Sequence, residues 1–397
     1  MTEENPDKIK KADIVVGIPS LNEADSISWV TKQVDEGLSN YFPHQKAVII
    51  NCDNNSPDGT GRVFLATRTK TPKIYLSTAP GVKGKGSNFY NLFLKVKKLG
   101  AKGGASVDAD LKSITPEWLK CLLSPIIEGY DYVSPIYLRH KNDGTITNHL
   151  CYPLVYGLLA QNIRQPIGGD MGFSRKLVEY WLDQEWTEST REYGIDIFMT
   201  LNAIRGEFKL AQVNLGSKIH KPSAPKLNSM FLQVTDSLFH FLSENKDFWI
   251  EKREIETPPL LCDVEHKVGY QEVIIDPEKT KKDALSEFEE NFQIIEKQLP
   301  QEVRSQIEKI FLKEKSLELP PEIWPKIVYD LFYIYHINSN KKSLIKVLRA
   351  LYFARILSFL RETTKKTQQE AEQLIQKQAQ LFFAKRYYLI NKLNKAG

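Results

Sequence analysis

The sequence predicts an α/β fold with a largely parallel sheet, because apolar strand-like runs alternate with amphipathic helical segments along its first half. After about Glu251 this alternation gives way to long charged segments with apolar residues three or four apart, which indicate a helical domain. The predicted strands are 12–18, 47–51, 73–77, 105–108, 132–137 and 211–215. The predicted helices include 26–36, 87–99 and 115–127. We therefore expect a doubly wound sheet with helices on both faces, followed by C-terminal helices.

The domain boundaries follow from the same change of pattern. Residues 1–11 form a polar tail, and residues 12–254 form the predicted α/β domain. Residues 255–282 contain three prolines and are interpreted as a connector, because proline interrupts regular structure. Residues 283–397 form the predicted helical domain, with breaks at its prolines.

Composition narrows the class of protein. Of 397 residues, 42% are hydrophobic and 26% are charged, which is typical of a globular chain with a real core. A net charge of +5 is small for this length, so we expect no nucleic-acid partner. The four cysteines form no CxxC pair, and we expect no disulfide framework and a cytoplasmic location. No apolar run reaches about 18 residues, so we expect no membrane span.

Asp108 and Asp110 follow a strand of small and apolar residues. Side chains two residues apart on an extended segment point the same way, so the two carboxylates could share a hard cation. Such a cation would be Mg²⁺ or Mn²⁺, held by few protein oxygens together with substrate phosphates. An isolated pair of this kind is more often a solvated loop, and it needs support from other residues.

Four further segments carry candidate chemistry. Gly81–Gly86 places three glycines and two lysines before a helix, which suits phosphate binding but equally a basic turn. Gln165–Asp170 has paired glycines that permit close approach of a ligand. Asp196 begins an apolar helix, where it either faces a substrate or supports the helix dipole. His220 lies among basic residues after a strand, where a neutral imidazole could complete a metal site or simply be exposed.

The order of these segments is more specific than any one of them. It resembles the retaining GT-A glycosyltransferases that make glucosylglycerate, glucosyl-3-phosphoglycerate and mannosylglycerate. The resemblance covers about residues 12–250. The segments that carry it are Pro19–Glu23, Gly84–Gly86, Asp108–Asp110, Pro166–Asp170, Tyr193–Asp196 and Gln212–His220.

The resemblance implies a GT-A fold, a nucleotide-sugar donor, a three-carbon acid acceptor and roles for individual residues. It implies that Asp110 and His220 ligate the metal, and that Asp196 and Lys85 act in catalysis. The donor would contact Pro19, Leu21, Glu23, Asn54, Lys85, Asp108, Ala109, Gly168 and Tyr193. The acceptor would contact Gly144, Thr145, Thr147, Gly169 and Asp170.

One departure from the family pattern bears on the acceptor. Members that use 3-phosphoglycerate resemble one another in a Gly-Arg-x-Thr segment, where arginine suits a phosphate dianion. The matching residues here are Gly144 to Thr147, with Thr145 in place of the arginine. We therefore expect D-glycerate and a glucosylglycerate product, although Arg139, His140 and Lys141 lie close enough in sequence to bind a phosphate.

Other functions also fit the sequence. Glucosyl-3-phosphoglycerate synthase and mannosylglycerate synthase are the nearest alternatives. A nucleotide-sugar-binding protein with an inactive site is another. Ala379–Leu393 carries aromatic and basic residues and would suit a transferase at a membrane surface, but packing or a dimer contact is the commoner role of such a stripe. We expect a homo-oligomer.

Overall fold

The computed structural model describes residues 2–221, 226–251, 254–264, 269–313, 316–338 and 340–396. The strands are β1 (Thr2–Glu4), β2 (Ile14–Ser20), β3 (Ala47–Asp53), β4 (Lys73–Ser77), β5 (Gly103–Ser106), β6 (Tyr132–Leu138), β7 (Met171–Ser174), β8 (Leu210–Ser217) and β9 (Leu260–Asp263). The helices are α1 (Ile27–Tyr41), α2 (Thr60–Ala66), α3 (Lys85–Leu99), α4 (Pro116–Ile127), α5 (Tyr152–Leu159), α6 (Arg175–Leu182), α7 (Glu188–Arg191), α8 (Ile195–Arg205), α9 (Leu227–Glu244), α10 (Lys246–Ile250), α11 (Pro277–Ile295), α12 (Gln301–Glu308), α13 (Trp324–Ile337), α14 (Lys341–Thr363), α15 (Gln368–Ala384) and α16 (Arg386–Ala396).

The chain divides into two compact units that interleave in sequence. The first comprises Met1–Arg139, Arg164–Lys226 and Pro258–Gln271, and it contains the whole described sheet. The second comprises His140–Ile163, Leu227–Thr257 and Glu272–Gly397. These units differ from the domains expected from sequence, because α5 and α9 bury apolar faces against α15 and α14 rather than joining the α/β unit.

The described strands of the first unit form one mixed sheet in the order β1-β4-β3-β2-β5-β7-β6-β8-β9. β4, β3, β2 and β5 are parallel neighbours, as are β6, β8 and β9. β7 is antiparallel to both β5 and β6, so β5 and β6 run in the same direction. The carboxyl ends of β2, β3, β5 and β8 therefore lie at one edge of the sheet, together with the amino end of β7.

Side chains of the central strands alternate between two cores, as expected for a sheet covered on both faces. Ile14, Val16 and Ile18 of β2 join a core with α1 and α4. Val15 faces the other core, which contains residues of α3, α6 and α8. This arrangement confirms the predicted α/β class with a mostly parallel sheet flanked by helices.

Each predicted strand is present, but three strands were missed and several boundaries differ by two residues or fewer at an end. β2 continues through Pro19 to Ser20, whereas the proline was expected to end it. Thr2–Glu4 pairs with β4 instead of forming a free tail, and the expected connector supplies β9. β7 is four residues long and includes a glycine, so it lacks the alternation that identifies a strand from sequence.

The second unit is helical in its described parts, with π-helical turns at Thr147–Cys151 and Lys309–Lys313 and a 3-10 turn at Glu296–Gln298. α13 and α16 are joined by Asp330, which is fully buried and accepts hydrogen bonds from Tyr388 Oη at 2.8 and 3.0 Å. Within the Ala379–Leu393 stripe, Phe382, Leu389 and Leu393 are buried, which favours packing over an interfacial helix. Among the described helices, none combines the length and apolar character needed to cross a membrane.

Candidate active site

The edge of the sheet defined above brings together residues that are far apart in sequence. Asp108 follows β5, Lys218 follows β8, and Asp170 directly precedes β7. Lys85 and Asp196 lie in the first turns of α3 and α8. Parallel α/β sheets bind ligands at this edge, outside the carboxyl ends of their strands.

Lysines and aspartates alternate across this edge in a chain of ion pairs. Lys85 Nζ lies 3.0 Å from Asp108 Oδ1 and 3.1 Å from Asp196 Oδ2. Lys218 Nζ lies 2.9 Å from Asp108 Oδ2 and 2.7 Å from Asp170 Oδ2. Lys218 Nζ also donates to the carbonyl oxygen of Gly168 at 2.8 Å. Three carboxylates and two ammonium groups are thus held in one network with fixed positions.

Burial and charge act in opposite directions on these groups. Burial alone would raise the pKa of Asp108, but the ammonium groups of Lys218 and Lys85 outweigh it and hold that pKa well below its ordinary value. Burial would lower the pKa of Lys85, but Asp108 and Asp196 raise it instead. Asp108 is therefore ionised and Lys85 protonated across the physiological pH range.

Asp196 differs from Asp108 and Asp170 because one of its carboxylate oxygens has no hydrogen-bond partner among the described residues. Oδ2 pairs with Lys85, whereas Oδ1 is buried and has no hydrogen-bond partner within the described part of the chain. Burial raises the pKa of Asp196, and Lys85 only partly opposes that shift. Because a buried polar atom without a partner is costly, this oxygen is suited to contact a bound ligand.

Gly168 and Gly169 are each required by a different close contact. Gly169 has φ +88°, and a Cβ there would lie 2.4 Å from Asp108 Oδ2. A Cβ on Gly168 would lie 2.2 Å from Cγ of Pro135 in β6. Asp170, predicted as an acceptor contact, is fully buried and accepts hydrogen bonds from Lys218, Tyr137 and the backbone amide of Asp108. The carboxylate of Asp170 therefore orients Lys218 and Asp108 and has no exposed surface for an acceptor.

The glycine- and lysine-rich segment is shaped by packing. A Cβ on Gly86 would lie 2.0 Å from the carbonyl oxygen of Thr190, and one on Gly84 would lie 2.2 Å from that of Arg191. The amide of Gly86 donates to the carbonyl oxygen of Glu192 at 3.0 Å. Two of the three glycines thus let α3 pack against the chain after α7. The phosphate-binding potential of the segment rests on Lys85 and the start of α3.

Three hydrogen bonds hold the segment that contains Asp110 against the segment that contains His220. The amide of Lys112 donates to the carbonyl oxygen of Ile219 at 2.8 Å, and the amide of Ile219 donates to Ser113 Oγ at 2.9 Å. The amide of Lys221 donates to Asp110 Oδ2 at 3.2 Å. The residue after Lys221 in this segment, Pro222, lies outside the described residues.

Two donors, a carboxylate and an imidazole, fit a hard divalent cation that takes its remaining ligands from substrate oxygens and water. In the described part of the chain, no group of three or more histidine, cysteine, aspartate or glutamate side chains is arranged to hold a metal. Asp110 and His220 therefore stay the predicted protein ligands of a cation that would take its other ligands from a diphosphate and water.

The loop after β2 contains the predicted nucleotide contacts and is rigidly held. The amides of Asn22, Glu23 and Ala24 donate to Ser56 Oγ, Thr60 Oγ1 and Asp58 Oδ2 at 2.8, 2.9 and 3.0 Å. Leu21 is 40% exposed, so its side chain is accessible to a base, whereas Pro19 is buried in β2. Three hydrogen bonds to consecutive amides fix the backbone of this loop.

The structure gives less support to the other residues that were predicted to contact the nucleotide-sugar donor. Asn54 Nδ2 donates to Asn88 Oδ1 at 2.8 Å, so its amide is used within the protein. The methyl group of Ala109 is 3% exposed and belongs to the core with α1 and α4, so only its backbone could contact a donor. Tyr193 is half-buried in the turn before α8.

The predicted acceptor residues Gly144, Thr145 and Thr147 belong to the second unit. Gly144 has φ +62°, and its carbonyl oxygen accepts a hydrogen bond from the amide of Asn148 at 2.9 Å. The hydroxyl groups of Thr145 and Tyr352 are 2.6 Å apart, and Thr145 is 8% exposed. Thr147 is also buried. The Thr145 hydroxyl thus has a partner within its own unit, and acceptor binding by this loop stays a prediction.

Sequence reasoning missed Lys218, Tyr137 and Lys221. Lys218 is two residues before His220 on an extended segment, and that spacing was a usable signal that both face the site. Tyr137 lies on β6 and its hydroxyl donates to Asp170, which only the three-dimensional register brings into contact. The ammonium group of Lys218 also lies 4.9 Å from the centre of the Tyr137 ring.

One disulfide is present, although the sequence predicted no disulfide framework. Cys121 of α4 and Cys262 of β9 are bonded, across a sequence separation of 141 residues. Spacing could not predict this pair, because β9 itself was not recognised. Cys52 and Cys151 are free and buried.

Reduction of Cys121–Cys262 should destabilise the first unit, because the bond restricts the unfolded chain and attaches edge strand β9. A disulfide of this kind contributes about 2–4 kcal/mol, so we expect the melting temperature to fall by about 5–10 °C in reductant. Differential scanning fluorimetry with and without dithiothreitol measures this shift. The C121S/C262S variant is the control and should melt at the lower temperature under both conditions. Equal melting temperatures for oxidised and reduced wild type would contradict the expectation.

Comparisons with known proteins come from solved structures. No protein-family model matches the chain, and neither does any curated protein. It is similar to glucosyl-3-phosphoglycerate synthase from Mycobacterium tuberculosis in complex with Mn²⁺, UDP and glucosyl-3-phosphoglycerate, at 23% identity and a TM-score of 0.47, over 58% of this chain and 80% of that chain. The same synthase with Mg²⁺ and UDP gives 23% identity and a TM-score of 0.47, over 58% and 79%. A further crystal structure, of a mycobacterial protein, gives 23% and 0.45, over 58% and 74%. At this low similarity, the function of the chain has to be inferred from the residues of its own site.

Proposed function

We propose that this chain is a metal-dependent, retaining glycosyltransferase that moves glucose from a nucleotide sugar to D-glycerate. The observation that carries the proposal is the position of the Lys85 ammonium group between Asp108 and Asp196, with the second oxygen of Asp196 buried and unpartnered. An ammonium group next to a carboxylate oxygen that has no partner suits a diphosphate leaving group and the sugar attached to it.

The charge of each residue determines its role in the proposed reaction. Lys85 binds the diphosphate, and its fixed position at the start of α3 means that little reorganisation accompanies bond breaking. Asp196 Oδ1 accepts from a sugar hydroxyl and stabilises positive charge at the anomeric carbon. Asp110 and His220 would hold Mg²⁺ or Mn²⁺, which when bound neutralises charge developing on the diphosphate. Lys218 and Asp170 hold Asp108 in place beside Lys85.

Bond changes balance without a covalent enzyme intermediate. The acceptor hydroxyl oxygen forms a bond to the anomeric carbon as the bond from that carbon to the diphosphate oxygen breaks. The acceptor proton passes to the departing diphosphate oxygen on the same face, so the anomeric configuration is retained. Glucosyl-3-phosphoglycerate and mannosylglycerate synthesis are the alternatives, and the absence of a cationic side chain at position 145 favours glycerate over its phosphate.

The decisive experiment is a matrix of UDP-, GDP- and ADP-glucose and their mannose counterparts against D-glycerate and 3-phosphoglycerate. Each reaction is run with Mg²⁺, with Mn²⁺ and with EDTA, and the product is identified by mass spectrometry. We expect a cation-dependent glucosylglycerate product. Binding of a nucleotide sugar without turnover in any combination would identify a binding protein and contradict the proposal.

The pH dependence of transfer tests the role of Asp196. Because burial raises its pKa, Asp196 becomes protonated at a higher pH than an ordinary aspartate, and kcat should fall on the acid side from that pH. Lys85 lowers this pKa, so K85M should move the acid limb of kcat to higher pH. D196N should lack the limb altogether. An acid limb that stays at the same pH in K85M would exclude Asp196 as the titrating group.

We also propose a cytoplasmic location. The Cys121–Cys262 disulfide would be unusual there, because disulfides are rare in reducing compartments. Alkylation of free thiols in freshly lysed cells tests it. We expect Cys121 and Cys262 to be modified if the protein resides in the cytoplasm.

A further inference from the structure

Lys221 contacts both the loop that would bind the nucleotide and the segment that would bind the cation. Its Nζ lies 2.7 Å from Glu23 Oε2 and 2.8 Å from Asp25 Oδ1. The same ammonium group is 3.4 Å from the carbonyl oxygen of Asn22. Lys221 therefore contacts three residues of the loop after β2.

The backbone of Lys221 belongs to the other segment. Its amide donates to Asp110 Oδ2 at 3.2 Å, and it directly follows His220 in sequence. Any shift of Asp110 or His220 on taking up a cation is thus transmitted to residue 221, because the same residue is tied to both. Although its side chain is long, Lys221 has partners both at its backbone amide and at its ammonium group.

The surroundings of Glu23 make this contact energetically significant. Glu23 is 7% exposed, and burial raises the pKa of its carboxyl group, so an ammonium partner is needed to keep the charged form favourable. Ser26 Oγ also donates to Glu23 Oε2 at 2.9 Å. Asp25, by contrast, has a side chain that is 70% exposed and forms a weaker, screened pair.

The rest of the loop is already fixed. Ser56, Asp58 and Thr60 hold the amides of residues 22–24, so the loop has little freedom of its own. A rigid loop transmits a displacement at one point to its whole length. Leu21, whose side chain is accessible to a base, directly precedes these three residues.

We propose that Lys221 is a positioning residue that couples divalent-cation binding at Asp110 and His220 to nucleotide binding by the loop Leu21–Asp25. The inference rests on the proposed function, since it requires that both ligands bind here. Coupling of this kind is reciprocal: the cation increases nucleotide affinity by the same factor by which the nucleotide increases cation affinity. Removal of the side chain should reduce that factor and leave either ligand able to bind alone.

The experiment measures the coupling directly by isothermal titration calorimetry. UDP, GDP and ADP are titrated into wild type with and without Mn²⁺, and the tightest nucleotide is used for the variants. The ratio of the two dissociation constants is the coupling factor. We expect K221M to lower this factor about tenfold and K221R to keep it within about threefold of wild type, because arginine preserves the charge.

Two further variants separate coupling from stability. D25N removes only the exposed partner, cannot disturb the core, and should lower the factor by about twofold. K176M removes a lysine that pairs with Asp131 at 2.9 Å and is 67% exposed, and should leave the factor unchanged. Melting temperatures of all variants report on folding independently of the coupling.

The outcomes are distinguishable. If wild type binds none of the three nucleotides with or without Mn²⁺, the proposed function fails and this inference fails with it. If wild type shows coupling and K221M and D25N both retain it, the proposed function stands and the role of Lys221 is refuted. Loss of coupling in K221M with recovery in K221R supports the inference.

Discussion

Replacement of Lys218 by methionine is expected to lower the free energy of unfolding by about 3–5 kcal/mol. Lys218 is 4% exposed at its side chain and pairs with Asp108 and with the fully buried Asp170. Methionine fills a similar volume but leaves the Asp170 carboxylate buried opposite an apolar group. The cost arises mainly from that uncompensated charge, and urea unfolding measures it.

The double variant K218M/D170N provides the matched comparison. Asparagine can still accept from the amide of Asp108 through Oδ1, and its NH2 group can donate to the Tyr137 hydroxyl. Because the buried charge is gone, we expect about half of the lost stability to return. K176M should change stability by less than about 1 kcal/mol, because the Lys176 side chain is 67% exposed and Asp131 keeps a hydrogen bond from the amide of Lys209. A K218M protein within 1 kcal/mol of wild type, measured in the same urea series, would show that Lys218 does not neutralise Asp170.

Replacement of Asp110 by alanine is expected to remove cation-dependent transfer, with a fall of about 10³-fold or more in kcat. A bound cation contributes several kcal/mol to stabilising charge on a diphosphate, and each 1.36 kcal/mol corresponds to about a tenfold change in rate. Asp110 is also one of only two proposed protein ligands, so cation affinity should fall in parallel. Initial rates in Mn²⁺ titrations and electron paramagnetic resonance of free Mn²⁺ measure the two effects.

D13N is a suitable control for the Asp110 experiment. Asp13 lies immediately before β2, at the opposite edge of the sheet, where its Oδ2 accepts from the amide of Lys46 at 2.8 Å. This variant should keep both the cation dependence and the rate of the wild type. Full Mn²⁺-dependent activity in D110A would remove Asp110 from the site and, with it, the interpretation of the Asp108–Asp110 pair.

Much of the α/β unit could be predicted because local patterns determine it. The strands ending near Ser20, Asp53 and Ser106 are short apolar runs between turns, and parallel strands place their carboxyl ends at one edge. The meeting of Lys85, Asp108 and Asp196 follows from that rule once α3 and α8 are recognised. Periodicity therefore predicted the edge at which Asp108 lies, whereas the assignment of Lys85 and Asp196 to the same site came from the family resemblance.

The parts that failed depend on register and on distant contacts. β7 is too short to show a pattern, yet its antiparallel pairing is what brings Gly169 and Asp170 to the site. The partner of Cys121 could not be inferred without β9. The family resemblance assigned Asp170 to the acceptor, but tertiary packing buries it against Lys218.

The interleaving of the two units limits how the protein can be divided experimentally. The first unit is assembled from three separate stretches of chain, the last of which is Pro258–Gln271. A fragment that ends near residue 254, the natural choice from sequence, would lose an edge strand and the partner of Cys121. An isolated α/β fragment would instead have to be made by replacing the intervening segments with short linkers, so deletion analysis by simple truncation will report on damage to this sheet rather than on the role of the helices.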